Sequence, residues 1–99
     1  MFYVYILYSA SADKYYVGQT QDITQRLLEH NELSENSYTS KHRPWELQLA
    51  LALPSRSAAL RLERHIKSKK RRSYLEYLIR DEELQQKLME EYSSDGSVG

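Results

Sequence analysis

The chain has no cysteine among its 99 residues, which excludes both a disulfide framework and a thiolate zinc site. It also lacks any apolar run approaching the roughly 20 residues that a membrane-spanning helix requires. Met1-Phe2-Tyr3 carries neither the basic flank nor the small-residue cleavage site of a signal peptide, so a cytoplasmic protein with no membrane partner is expected. Nor is there any net charge, since 14 Lys and Arg balance 14 Asp and Glu. With 40 % hydrophobic and 28 % charged residues the composition is that of a globular protein, not of a disordered or fibrous one, and the length suits one domain with a modest core.

The zero net charge conceals a segregation. Residues 56–72 hold eight Lys or Arg against Glu63 alone, and residues 81–95 hold six acids against Lys87 alone. A polyanion responds to the local cluster rather than to the sum, so neutrality does not argue against nucleic acid.

Residues 2–8 alternate β-branched and aromatic side chains, with Phe2, Val4 and Ile6 facing one way and Tyr3, Tyr5 and Leu7 the other. This predicts a strand that is apolar on both faces. A small polar loop over residues 9–14 leads to a short antiparallel strand over residues 15–18, which Gly18 ends at a sharp turn. Asp22 and Gln25 resemble a capping box for a helix over residues 23–33, in which Arg26 and His30, spaced i and i+4, look across one rim of the buried face. Ser34-Glu35-Asn36-Ser37 has loop composition.

Downstream, Tyr38 to Arg43 reads as a polar, basic connection, and Pro44 biases the residues before it toward extended backbone. A third strand is predicted over residues 45–53, with Trp45, Leu47, Leu49, Leu51 and Leu53 on one side. Pro54-Ser55 starts a second helix through Ser68 whose buried stripe is Ala59, Leu62 and Ile66, with Glu63 beside it. Ser73-Tyr74-Leu75-Glu76 reads as a capping box for a third helix that turns Leu75, Leu78 and Ile79 inward. Residues 82–92 either extend that helix or form a separate, weakly packed one, and disorder is expected over residues 93–99.

The ordered set of these features resembles the GIY-YIG nuclease family over residues 2–80. Val4-Tyr5-Ile6 stands where the family has Gly-Ile-Tyr, and Tyr16-Val17-Gly18 stands for Tyr-Ile-Gly. Arg26 matches the family's catalytic arginine and Glu63 its metal-binding glutamate. His30 matches a functional histidine of the branch that includes structure-specific, resolvase-type nucleases. The passage from Tyr38 to Leu47 is typical of small stand-alone members. Two departures are visible: Gln19 stands where the excision-repair branch has a basic residue, and that branch's downstream asparagine has no match.

The resemblance implies an α/β (α+β sandwich) domain over residues 1–80, a three-stranded antiparallel sheet flanked by helices. An acidic helical extension over residues 81–92 and a tail follow, and the site is expected on the sheet face between the first and second helices. It implies a divalent-metal-dependent endonuclease acting on DNA in preference to RNA, on structured or single-stranded substrates, in roles such as DNA repair. The chemistry is consistent with this. Arg26 offers fixed charge and a fork matched to phosphate, and Glu63 offers one hard oxygen to Mg²⁺ or Mn²⁺, one ion held weakly without substrate. Tyr5, Tyr16 and His30 are alternative proton acceptors, a phenol needing a nearby cation to lower its pKa and an imidazole titrating near neutrality. Lys41, Arg43, Lys67, Lys70, Arg71 and Arg72 are the expected phosphate-tracking residues, with Tyr38 or Trp45 as a stacking surface, although Trp45 suits the core better. The competing reading is a nucleic-acid-binding module of the same fold with little or no hydrolytic activity.

Overall fold

The computed structural model describes residues 1–33 and 39–93. The 34–37 loop, Tyr38 and residues 94–99 lie outside the described residues. Three strands form one antiparallel sheet: β1 (Phe2–Ser9), β2 (Lys14–Thr20) and β3 (Glu46–Leu53), in the order β2-β1-β3. The central strand is the one whose sequence is apolar on both faces, because only that strand is covered on both. Asp13 takes a left-handed conformation in the β1–β2 turn (φ 54°), and the Ser9 hydroxyl accepts from the Ala12 amide at 3.2 Å. A short polar side chain tolerates that conformation better than most, so the turn forms without glycine.

Val4 and Ile6 pack with Val17, Leu51 and Leu53 under the larger helical layer. That layer consists of α2 (Arg56–Ser68), α3 (Arg72–Arg80) and α4 (Glu82–Ser93). Tyr5, Leu7 and Trp45 form a second core on the opposite face, covered by Ile23 and Leu27 of α1 (Ile23–Leu28). The helices α1 and α2 therefore flank opposite faces of the sheet, not one common face as the sequence suggested. Alternation along β1 forces this, since Tyr5 and its neighbours Val4 and Ile6 must point to opposite sides.

The third strand carries a further correction. Its register steps from Ile6↔Leu49 to Leu7↔Leu47, so Gln48 is an extra residue bulged out of the ladder. The bulge moves Trp45 to the α1 face while Leu51 and Leu53 stay under α2, and it leaves Leu47 largely exposed. The uninterrupted alternation from Trp45 to Leu53 is thus not one face.

Helix starts follow local chemistry. The Asp22 carboxylate accepts from the Gln25 amide at 3.0 Å and the Ser55 hydroxyl from the Ala58 amide at 3.1 Å. Gln25 does not return the bond, since its amide turns to Glu29. The third helix starts one residue before Ser73, so that proposed capping box is not formed. Glu76 instead accepts from Arg72 and from the Tyr15 hydroxyl. The segment over residues 82–92 is separate from α3, extends to Ser93 and is firmly packed: Leu88 is buried in the main core, with Leu84, Met89 and Tyr92 against it. No helix among the described residues is long and apolar enough to cross a membrane.

Candidate active site

Tyr5 leans from the central strand across its partner Gly18 on β2. Gly18 does not end that strand at a turn, because β2 continues to Thr20. What it supplies is space: an ideal Cβ there would lie 2.5 Å from the Tyr5 phenol oxygen. The phenol oxygen, Oη, is the meeting point of the site. It lies 2.9 Å from His30 Nε2 and accepts a hydrogen bond from Arg26 Nε at 3.4 Å. Tyr16, two residues before Gly18 and on the same face, packs edge-on against His30 with ring centres 4.9 Å apart and beside Tyr5 at 6.4 Å. Four of the residues singled out from sequence, Tyr5, Tyr16, Arg26 and His30, are thereby one cluster.

Burial pushes the Tyr5 hydroxyl up to about 12, an effect that the hydrogen bond and the charge of Arg26 only partly offset. Burial also lowers the His30 pKa below its ordinary value, and the Arg26 cation lowers it further. At neutral pH the pair is therefore a protonated phenol beside a neutral imidazole. Arg26 itself remains exposed, with Nη1 bonded to Glu29 at 2.9 Å, and its pKa is raised by Tyr5 and then Glu29. An exposed pair of this kind stabilises weakly and is readily exchanged for another anion.

The helix that carries Arg26 widens into a π-helical turn over Glu29–Leu33, so the expected helix is present but not α-helical throughout. Such single-turn widenings recur at functional sites. Here Arg43 Nε donates to the His30 carbonyl at 2.8 Å, and the Asn31 amide grips the Trp45 backbone twice, Nδ2 to the carbonyl at 3.0 Å and Oδ1 from the amide at 2.6 Å. Trp45 is buried, and its indole N–H donates to the Thr39 carbonyl within the 3₁₀ turn Thr39–His42. It is a wall of the site, not an exposed stacking platform. His30 Nδ1 is buried with no hydrogen-bond partner among the described residues.

Glu63 comes from the helical layer on the other side of the sheet, yet its charge is felt at Tyr5. It projects from α2, on the other face, and pairs with Lys67 Nζ at 2.7 Å. Its negative charge adds to the upward push on the Tyr5 hydroxyl. Among the described residues no three His, Asp or Glu side chains converge on one point. Gln19, paired with Val4, therefore faces the α2 side, and its side-chain oxygen is buried without a partner among the described residues.

The predicted basic residues divide in two. Lys67, Lys70, Arg71 and Arg72 line a groove of about 570 Å³ along the free edge of β2, together with Lys14, Tyr15 and Tyr16. Arg72 is committed within it, bonded to the Asp13 carboxylate and carbonyl and to Glu76 while lying over the Tyr15 ring. Lys41 and Arg43 lie instead on the connection to β3, Lys41 exposed and Arg43 half-buried against the His30 carbonyl. Sequence reasoning missed three contributors: Asn31, Lys14, and Gly18 in its role as cleft. Nothing local marks the first two, whereas a glycine inside a strand pattern is a recognised sign of close approach.

Residues 1–83 match the GIY-YIG catalytic domain family. A structure-specific endonuclease subunit of Cryptococcus neoformans, named SLX1, is 43 % identical over 58 residues, 56 % of this chain and 12 % of that protein. The chain thus spans about an eighth of this fungal relative. A UPF0213 protein of Natronomonas pharaonis is 36 % identical over 80 residues, covering 81 % of this chain and 92 % of its own length. Another, from Haloquadratum walsbyi, is 39 % identical over 66 residues, 67 % and 73 % of the two chains. No solved structure gives a significant match. With the tyrosine–arginine–histidine cluster assembled over a strand glycine, and with the match running through the third helix, the chain belongs to the GIY-YIG family of nuclease catalytic domains.

Proposed function

We propose that this domain is a divalent-metal-dependent endonuclease that hydrolyses phosphodiester bonds in DNA. The observation that carries the reading is the Tyr5 phenol held between Arg26 Nε and His30 Nε2 above Gly18. Hydrolysis requires that a water lose a proton and that charge on the phosphoryl oxygens be offset. Neutral His30 accepts the Tyr5 proton at Nε2, and Tyr5 takes the proton of the attacking water, so the buried phenol never carries a lasting charge. Arg26, released from Glu29, turns its fork onto the phosphate. Tyr16 and Trp45 hold the imidazole in place and exclude bulk water from its inner side.

Glu63 would offer one oxygen to magnesium or manganese, ions that keep several waters and take further oxygens from phosphate. Its present partner is the Lys67 ammonium one turn on, which an incoming ion would replace. When bound there, the ion supplies Lewis acidity toward the phosphoryl and leaving oxygens. The same ion pair is the observation that favours the second reading, a binding module in which Lys67 permanently replaces the metal.

The two are separated by nicking assays on flaps, bubbles, junctions and single strands with and without Mn²⁺. The nuclease reading expects metal-dependent cutting that Arg26→Ala and Glu63→Ala each reduce at least 100-fold. Cleavage untouched by both substitutions would end it, and binding without cutting on every substrate establishes the module.

A further inference from the structure

The groove along the free edge of β2 lies outside the catalytic cluster yet touches it through Tyr16. Its floor is apolar, formed by Val17, Ile66, Leu75 and the Tyr15 ring, and its rim is cationic with no acid among the lining residues. Of those cations Arg72 is held by Asp13 and Glu76, and Lys67 by Glu63. Lys14, Lys70 and Arg71 have no carboxylate partner among the described residues and are exposed.

Lys70 adds an independent sign. It has φ 54°, the left-handed position just past the end of α2, where its amide closes the helix onto the Lys67 carbonyl at 3.3 Å. Glycine is the favoured residue at such a site, because a Cβ is strained there. The chain places a lysine at this position, on the rim of the groove, where its exposed side chain has no carboxylate partner among the described residues.

We infer that this groove is a subsite for one unstacked nucleotide of the substrate strand, its base on the Val17–Ile66–Leu75 floor and its phosphate on Lys70 and Arg71. The inference deepens the nuclease reading and rests on it. A volume of about 570 Å³ accepts a base with its sugar, and ligand sites of this size are typically apolar with a few polar anchors. An apolar floor accepts the face of any base without regard to sequence, and unpaired cations at the rim match a single phosphodiester. Lys67 and Tyr16 border the groove, the first paired with Glu63 and the second packed on His30, so a strand seated here leads toward both parts of the site. On this inference the base that enters is one freed from pairing and stacking.

The test is fluorescence anisotropy with a labelled 12-nucleotide single strand and with a blunt duplex, in EDTA so that nothing is cut. An abasic residue is moved along the single strand, and binding is measured for wild type and for the Lys70→Gly/Arg71→Gln protein. The expected result is at least a fivefold weakening at one or two abasic positions only. The double variant should weaken single-strand binding at least tenfold and the duplex less than threefold, and Lys70→Gly alone should unfold at a temperature equal to or a few degrees above wild type. A flat abasic scan overturns the subsite, as does unchanged binding by the double variant or equal weakening of strand and duplex, which would assign these cations to general phosphate attraction. Because no cleavage is measured, a positive result beside a failed nicking assay would reject the nuclease and keep the groove. Cleavage that persists with binding unaffected by the double variant would do the reverse.

Discussion

Replacing Gly18 by alanine adds one methyl group at the point where the site is most crowded. The new Cβ would stand 2.5 Å from Tyr5 Oη, 2.7 Å from its Cζ and 3.2 Å from a ring carbon of Tyr16. The backbone of Gly18 is not left-handed, so the whole effect is steric. Ordinary contact requires about 3.5 Å, so the phenol must retreat by about 1 Å. Tyr5 is 2 % exposed and walled by Leu7 and Trp45, so the movement takes Oη away from its 2.9 Å contact with His30. A displacement of about 1 Å at a reacting group costs on the order of 100-fold in rate, and forcing one methyl into a packed core costs about 1–3 kcal/mol. In a domain of this size each kcal/mol lowers Tm by about 4–8 °C.

The assay pairs single-turnover cleavage with thermal unfolding, using Tyr5→Phe for comparison. Tyr5→Phe removes the most crowded atom and the proton path together, so it should lose a similar factor in rate with a smaller change in Tm. The double variant should recover part of the Tm lost by Gly18→Ala. A Gly18→Ala protein that cleaves within twofold of wild type and unfolds at the same temperature would refute the account of Gly18 as the cleft for the phenol.

Asn31→Ala removes both bonds that tie the π-helical turn to the Trp45 backbone; it should cost about 1–3 kcal/mol and lower the cleavage rate, whereas Asn31→Asp should retain the bond from the Trp45 amide and part of the activity. His30 and His65 are both lowered by burial, so the unfolded chain binds more protons than the native one between their folded pKa values and about 6.5. Stability should be complete above that pH and fall on acidification through the window; an unfolding midpoint flat from pH 7 to 5 would contradict the buried neutral state. Cleavage should rise through the same window and, with Tyr5 at about 12, show no loss from the phenol up to pH 9. Leu88→Ala should cost about 2–5 kcal/mol, because Leu88 lies in the main core; an unchanged Tm would show that α4 is detachable.

Much of the fold was legible because it rests on short-range rules. Alternation over residues 2–8 assigns a strand buried on both faces, the carboxylate of Asp22 and the hydroxyl of Ser55 start their helices, and the i, i+4 spacing of Arg26 and His30 brings both to one rim. Each depends on residues a few positions apart. The misreading of the third strand required a partner from elsewhere in the chain. Gln48 looks like any other residue of an alternating strand until β1 sets the register and bulges it out, and Trp45 changes face as a result. At Glu76 the cause is partly local, since the helix starts at Arg72 and that residue pairs with Glu76 one turn on. It is also partly distant, since the Tyr15 hydroxyl donates to the same carboxylate.

By itself, then, the order of residues singled out the candidate side chains and most of the local conformations they adopt, because backbone sterics and periodicity act within a turn or two. Only the packed molecule decided that Tyr5 Oη sits between a guanidinium and an imidazole, that Glu63 approaches from the other face, and that an edge strand and two helices enclose a cationic groove. Those relations are set by strand order and by which face each helix covers, which are properties of contacts between distant segments and have no local code.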